Sequence, residues 1–142
     1  MILEVEHLSF AYRPERPLFY DVSFAFEQGQ VLSILGANGA GKSTLLNCIA
    51  NLLLPQQGEI RLHGTPLSRL ELREISRIIG YVPQSHTPAY DYTVRDFVVM
   101  GRAPHLGTFQ QPGRADYDLV DATLEEMGLL PLANRPYTEL SG

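Results

Sequence analysis

Lys42 is the only lysine in this chain of 142 residues, in which the other ten cationic side chains are arginines. It lies in Gly36-Ala37-Asn38-Gly39-Ala40-Gly41-Lys42-Ser43, which fits the pattern G-x-x-x-x-G-K-[ST] at every fixed position. An ammonium on a flexible stem can reach over such a loop and sit between two phosphates, whereas a guanidinium is wider and prefers a flat bidentate partner. The lone lysine therefore predicts a loop that grips phosphate groups.

The segments on either side of this loop are of the kind that such a site needs. Residues 31–35 form a short apolar run typical of a buried parallel strand, and residues 43–54 have the apolar spacing of a helix that Pro55 stops. A strand, a glycine-rich turn and a helix in this order aim backbone N–H groups and the positive end of a helix at one point. The Ser43 hydroxyl can bind Mg²⁺ beside the phosphates. Gly36, Gly39 and Gly41 allow a positive φ and let the backbone approach a ligand without a Cβ in the way.

Composition limits the class of protein. A hydrophobic content of 44% with 19% charged residues indicates a globular chain, and 142 residues suffice for one core. The net charge of −5 and the absence of a lysine- or arginine-rich stretch argue against nucleic acid as a partner. Cys48, the only cysteine, is expected to be a core residue, and no disulfide framework is possible, which fits a reducing cytoplasm. The N-terminus does not have the pattern of a signal peptide, and no apolar run reaches the roughly 20 residues of a membrane span.

The pattern of elements changes near Val82. Before it, residues 2–6 and 22–26 alternate as half-buried strands do, and residues 78–82 are typical of another buried strand. After it, residues 93–100 and 115–127 are predicted to be helical. The predicted organisation is a mixed α/β unit followed by a helical one.

Five segments recur in the order and spacing of a known family. They are Phe10-Ala11-Tyr12, the loop at 36–43, Gly58-Glu59-Ile60 with His63-Gly64, Gly80-Tyr81-Val82-Pro83-Gln84, and Leu140-Ser141-Gly142. Together they resemble the ATP-binding subunits of ABC transporters along nearly the whole chain. Residues 92–96 and 100–106 add a finer resemblance to the branch that serves importers of metal chelates, which include siderophore iron, haem, cobalamin and molybdate.

This resemblance implies ATP and Mg²⁺ as cofactors. Tyr12 is expected to stack on adenine, and Ser43 and Gln84 are expected to bind Mg²⁺. The start of the family's signature, Leu140-Ser141-Gly142, is expected to contact ATP held by the opposite subunit. The further residues expected to contact ATP are Gly36, Ala37, Asn38, Gly39, Ala40, Gly41, Lys42 and Thr44.

The resemblance also implies a fold and its limits. Residues 1–83 are expected to form the α/β ATP-binding core of a P-loop NTPase, with a mixed sheet and helices. Residues 84–142 are expected to carry the Gln84 loop and a helical subdomain that ends inside the signature. The C-terminal half of the family fold, with the catalytic Glu, is expected to be missing, so the chain is expected to have no catalytic residue and to be inactive alone.

The expected partners follow from the same resemblance. They are a second ATPase subunit, identical or paired, the integral membrane permease subunits and, indirectly, a solute-binding protein. The expected location is the cytoplasm, peripheral on the inner face of the cell membrane. The expected activity is ATP hydrolysis that powers import of a metal chelate or a related small solute.

Three alternatives stay open at this point. A soluble ABC-type ATPase of translation or DNA repair would share the motifs, although such proteins usually carry two cassettes or long inserted coiled coils. An unrelated phosphoryl-transfer enzyme such as a nucleotide kinase would need the loop but not Tyr12, Gln84 or Leu140-Ser141-Gly142. The chain could also be a non-catalytic ATP-binding fragment.

Overall fold

The computed structural model describes residues 1–84 and 90–140. The chain divides into two compact units, the first formed by residues 1–81 and the second beginning at Val82. The assignment of separate functions to residues 1–83 and 84–142 stays a prediction.

The first unit is a sheet with two helices. Its elements are β1 (Leu3–Arg13), β2 (Arg16–Phe26), α1 (Lys42–Ile49), β3 (Gln57–Leu62), β4 (Thr65–Pro66) and α2 (Leu72–Ile78). The strand order is β2-β1-β3-β4, so β1 lies between β2 and β3. All strand pairs in the described residues are antiparallel. The α/β class predicted from the sequence is confirmed, and the described part of the sheet has no parallel pair.

Strand β1 carries much of the core of this unit. Leu3 and Val5 are buried while Glu6 is exposed, as expected for a strand with one covered face. A bulge follows, because His7 has a φ of 51° and the register with β3 shifts between Glu6 and Ser9. The bulge turns the strand so that it continues to bury side chains beyond it. The buried core consists of Leu3, Val5, Leu8, Phe10, Leu45, Cys48, Ile60, Leu62, Leu67 and Ile75.

Two segments that the sequence predicts as buried strands form no strand and are largely exposed, although Ile34 and Ile79 pack against the core. Residues 31–35 have no regular structure, and Val31 and Leu35 are 93% and 90% exposed. Residues 78–82 also form no strand. Ile78 ends α2, and Val82 is 91% exposed. A buried parallel strand needs a neighbour on each edge and cover on each face. In residues 1–84 and 90–140 no strand pairs with either segment, so both predictions are wrong for the part described.

Helix α1 is shorter than its apolar spacing predicts. It ends at Ile49, not near Leu54, because Asn51 takes the left-handed conformation with a φ of 57°. The amides of Leu52 and Leu53 then turn back to donate to the Asn47 carbonyl. Cys48, on this helix, is buried as predicted, and burial raises the pKa of its thiol, which suits a core side chain. None of the described helices has the length and hydropathy that crossing a bilayer requires.

The second unit is helical. It contains α3 (Val94–Val99) and α4 (Arg114–Glu126), with 3₁₀ turns at Met100–His105, Leu130–Leu132 and Tyr137–Glu139. Arg95 on α3 donates to Asp121 on α4 and lies 5.2 Å from the centroid of the Tyr117 ring. These contacts join the two helices beside a small apolar core. That core consists of Val94, Val99, Val120, Leu124 and Ala133.

Asp116 links α4 to the turn before it. Its Oδ1 accepts a hydrogen bond from Arg102 Nε at 2.9 Å, and its Oδ2 accepts one from the Gly113 amide at 3.0 Å. The Arg102 guanidinium, helped by that amide, lowers the pKa of Asp116 below its ordinary value. A carboxyl whose pKa is lower in the folded state stabilises the fold above its unfolded pKa, about 3.9, and loses this effect as pH falls through the folded pKa.

We therefore expect Asp116→Asn to lower the free energy of unfolding at pH 7 and to have less effect as the pH falls below about 4. Urea unfolding of both proteins at pH values from neutral to acidic measures this difference. Asp118→Asn is the matched control on the same helix, since Asp118 is 68% exposed and Arg114 approaches it only to 3.9 Å. An Asp116→Asn effect that persisted unchanged into acid would contradict the assignment.

Candidate functional site

The glycine-rich loop runs directly into α1. Residues 37–40 form a turn in which the Ala40 amide donates to the Ala37 carbonyl at 3.2 Å. Gly41 precedes the helix with a φ of 90°, and a Cβ at this position would lie 3.0 Å from Leu18 Cγ and 3.1 Å from Phe19 Cδ1. Position 41 therefore needs glycine both for its backbone and for its contact with β2. Gly39 also has a positive φ, whereas Gly36 does not.

The Lys42 ammonium folds back over this loop. Its Nζ donates to the Gly36 carbonyl and to the Ala37 carbonyl, each at 2.8 Å. Lysine has three N–H donors, so one remains. Within residues 1–84 and 90–140, Lys42 forms no ion pair. The full positive charge is thus held against two neutral oxygens at the N-terminal end of α1, where an anion would be favoured.

Tyr12 is tied to the start of α1. Its hydroxyl lies 3.2 Å from Thr44 Oγ1, and its ring meets the Phe10 ring edge-to-face with centroids 4.9 Å apart. Thr44 is buried, while Tyr12 is 67% exposed. The phenol is therefore held at its hydroxyl and at one ring edge, and much of the ring is open to solvent beside the loop.

An open groove lies beside Tyr12 at the end of the β1–β2 hairpin. Its volume is about 510 Å³, within the range of small-molecule sites. Aromatic rings and proline supply most of its lining, with Gln56 as a polar group. The lining residues used below are Phe10, Ala11, Tyr12, Pro17, Phe19 and Gln56. Such a surface suits a flat heterocycle that stacks on an aromatic ring.

Comparison with known proteins decides the family. The family model described as "ABC transporter" matches residues 19–142, which is most of the chain. The chain belongs to the ABC transporter family. The family resemblance drawn from the sequence is confirmed.

Individual ABC proteins match across nearly the whole chain. An uncharacterized ABC transporter ATP-binding protein of Haemophilus influenzae is 39% identical over 142 residues, which cover 100% of this chain and 54% of that protein. The molybdate import ATP-binding protein MolC of the same organism is 39% identical over 140 residues, which cover 99% and 50%. A solved structure of a metal-chelate type ABC transporter in an inward-facing conformation matches with a TM-score of 0.79 and 36% identity, covering 99% of this chain and 50% of the other. The chain spans about half the length of these ABC relatives.

The structure brings together the predicted ATP-site residues of the first unit. Tyr12, the loop at 36–41, Lys42 and Thr44 lie around the N-terminal end of α1, and Ser43 is exposed on the first turn of that helix. Gln84 is exposed and belongs to the second unit. Leu140 packs against the apolar core of the second unit. The other two signature residues, Ser141 and Gly142, lie outside the described residues.

Two contacts in this ABC chain were not predicted from the sequence. The Tyr81 hydroxyl donates to Asn47 Oδ1 on α1 at 2.8 Å. The Gln56 side chain bonds both backbone groups of Ala11, the residue before Tyr12. The sequence indicates only a turn at residues 55–58, and nothing in that pattern points to a partner on β1.

Proposed function

We propose that this chain is the ATP-binding part of a subunit that powers import of a metal chelate or a related small solute. The observation that carries the proposal is the Lys42 ammonium, folded over a glycine-rich loop at the start of α1 and free of any carboxylate partner in the described residues. The kind of solute is supported by two ABC relatives, one described as a molybdate import protein and one as a metal-chelate type transporter.

The proposed ATP complex follows from the site. Phosphate oxygens replace the carbonyls of Gly36 and Ala37 as partners of the Lys42 ammonium, because charge-assisted hydrogen bonds are stronger than bonds to neutral oxygens. Backbone N–H groups of the loop and the positive end of α1 add to this attraction. The adenine stacks on the open face of Tyr12, in the groove that this ring helps to line. Asn38, Gly39 and Ala40 line the phosphates with their backbone, and Ser43 and Thr44 add hydroxyl groups.

Magnesium is proposed as the second cofactor. The Ser43 hydroxyl is exposed beside Lys42, and hard oxygen donors of this kind suit Mg²⁺. Gln84 offers an amide oxygen as a further ligand. Bound Mg²⁺ supplies neutralisation of charge on the phosphate oxygens. In the described residues, no three carboxylates, histidines or cysteines group together into another metal site.

The rest of the cycle is proposed for the whole transporter. Two ATPase subunits bind ATP between them, with Leu140, Ser141 and Gly142 of one subunit facing the ATP of the other. Hydrolysis to ADP and phosphate needs a general base to accept a proton from the attacking water, and no residue of this chain is assigned that role. We place the assembly on the cytoplasmic face of the membrane, bound to permease subunits that receive solute from a solute-binding protein.

Reconstitution tests this proposal. The full-length ATPase is purified with its proposed permease subunits and is placed in liposomes, with ATP on the ATPase side and the solute-binding protein on the opposite side. We expect ATP-dependent uptake of radiolabelled molybdate or of a ferric siderophore, and we expect Lys42→Ala to abolish it while the complex stays assembled. An ATPase that binds no membrane protein, and whose hydrolysis is instead stimulated by ribosomes or DNA, would overturn the proposal in favour of the soluble ABC alternative.

A further inference from the structure

We propose that Gln56 is a positioning residue for Tyr12. Its side-chain amide fixes the backbone of Ala11 and thereby holds the Tyr12 ring in the place where it stacks on the base. This inference rests on the proposed ATP site, and it adds a residue that lies outside the glycine loop and outside the segments that carry the family resemblance.

The contact between Gln56 and Ala11 is bidentate. The Ala11 amide donates to Gln56 Oε1 at 2.7 Å, and Gln56 Nε2 donates to the Ala11 carbonyl at 2.5 Å. The backbone amide of Gln56 also donates to the Ser9 carbonyl at 3.1 Å. One side chain thus satisfies both hydrogen-bonding groups of the residue directly before Tyr12, as a neighbouring strand would do.

On its β3 edge, strand β1 has no partner strand at Ala11. Its pairing with β3 ends at Ser9 and Gln57, so β3 does not reach Ala11. On the other edge, Ala11 is in register with Pro17 of β2. The β1–β2 register also shifts on both sides of Ala11. The Gln56 amide therefore takes the place of a strand on the β3 edge of β1. It does so at a point where the pairing of β1 with β2 is irregular.

The same geometry connects Tyr12 to the start of α1 and to the residue before β3. Thr44, in the first turn, meets the Tyr12 hydroxyl, and Gln56 lies in the segment that leads from α1 to β3. The hydroxyl contact and the Phe10 contact fix the far end and one edge of the ring. The backbone from which the ring projects is fixed by Gln56. Without the contact between Gln56 and Ala11, the Tyr12 ring is still there but can move away from the base.

The test separates base binding from phosphate binding in the full-length protein. Affinity is measured by calorimetry for ATP and for inorganic tripolyphosphate, which has the phosphates but no base. We expect Gln56→Ala to weaken ATP binding by about threefold to tenfold, the range expected for losing one or two exposed hydrogen bonds, and to leave tripolyphosphate binding unchanged. Unchanged tripolyphosphate affinity also shows that the loop and α1 remain folded.

A double-mutant cycle with Tyr12 tests whether Gln56 affects ATP affinity through the Tyr12 ring. Tyr12→Ala removes the ring, so adding Gln56→Ala to it should cost no further ATP affinity. Gln56→Glu provides a second variant of the same length, which keeps an acceptor for the Ala11 amide and loses the donor to its carbonyl. Gln56→Glu should likewise weaken ATP binding and leave tripolyphosphate binding unchanged. Gln28→Ala, in the exposed turn before residue 31, is the matched control and should change neither affinity.

The outcomes are distinguishable. If the wild type does not bind ATP, or if Lys42→Ala leaves both affinities unchanged, the proposed ATP site itself fails. If Lys42→Ala weakens both ligands but Gln56→Ala and Gln56→Glu bind ATP as the wild type does, only the positioning role fails. An additive loss in the Tyr12→Ala background would also overturn the inference, because it would mean that Gln56 does not act through Tyr12.

Discussion

Replacing Gly58 by alanine should destabilise the first unit by about 3 kcal/mol, since a left-handed non-glycine residue and an overpacked contact each cost about 1–3 kcal/mol. Gly58 lies in β3 with a φ of 90°, and a Cβ there would be 2.4 Å from the Glu6 carbonyl oxygen and 2.6 Å from the His7 carbonyl carbon. Those atoms belong to the backbone of the bulge in β1. They cannot move without breaking the pairing that holds β1 against β3.

Gly64 is a matched control for this substitution. It also has a positive φ, 76°, but a Cβ there would meet nothing within 4 Å. Gly64→Ala should therefore cost only the backbone strain, about 1 kcal/mol. Both variants of the full-length protein are unfolded in urea and their midpoints are compared, with the same dependence of unfolding free energy on urea concentration. Equal midpoints for the two variants would contradict the close approach of β3 to the bulge.

Local pattern was enough to predict several elements of this fold. The alternation at residues 2–6 and 22–26 marks parts of β1 and β2, and the apolar spacing at 115–127 marks α4 within one residue at each end. These segments bury their apolar side chains against neighbours in their own unit. Their pattern therefore agrees with the packing that the described residues supply.

The apolar runs at 31–35 and 78–82 show why other elements could not be predicted. Their composition is typical of strands covered on both faces, but composition does not supply the neighbouring strands. Without such neighbours in the described residues, Val31, Leu35 and Val82 are exposed. A prediction from pattern was correct where the partner is local and wrong where burial needs partners that the described residues do not provide.

The candidate site likewise has one part that could be predicted from the sequence and one part that could not. The loop at 36–43 could be predicted because its spacing is contiguous and its chemistry follows from glycine, lysine and serine in fixed order. The contact of Tyr12 with Thr44 spans 32 positions, and that of Ala11 with Gln56 spans 45. Such contacts depend on how β1, α1 and β3 pack together, which a local pattern does not encode.

Lys42→Ala should weaken ATP binding by about 100-fold or more. Charge-assisted hydrogen bonds contribute about 1.5–3 kcal/mol each, and the ammonium is proposed to make two of them to phosphate oxygens. The same substitution should leave the fold nearly intact, with a change in unfolding free energy within about 0.5 kcal/mol, because the ammonium bonds only exposed loop carbonyls. The substitution is thus expected to lower the affinity for ATP and not the stability of the fold.

Two further variants separate shape from charge. Lys42→Arg keeps the positive charge but places a planar fork where a compact ammonium fits, so it should also lose affinity, by about tenfold. Arg114→Ala removes one positive charge from α4, where the side chain is 94% exposed, and should not change affinity. A general effect of net charge would make Arg114→Ala resemble Lys42→Ala and would leave Lys42→Arg like the wild type.

The most direct measurement is an equilibrium titration of the full-length protein with ATP in the presence of Mg²⁺, comparing wild type with Lys42→Ala by calorimetry, with urea unfolding of both as the check on folding. The structure predicts tight binding by the wild type, a loss of about two orders of magnitude in the variant and equal stability of the two. Equal ATP affinity of two equally stable proteins would show that this ammonium does not hold the triphosphate.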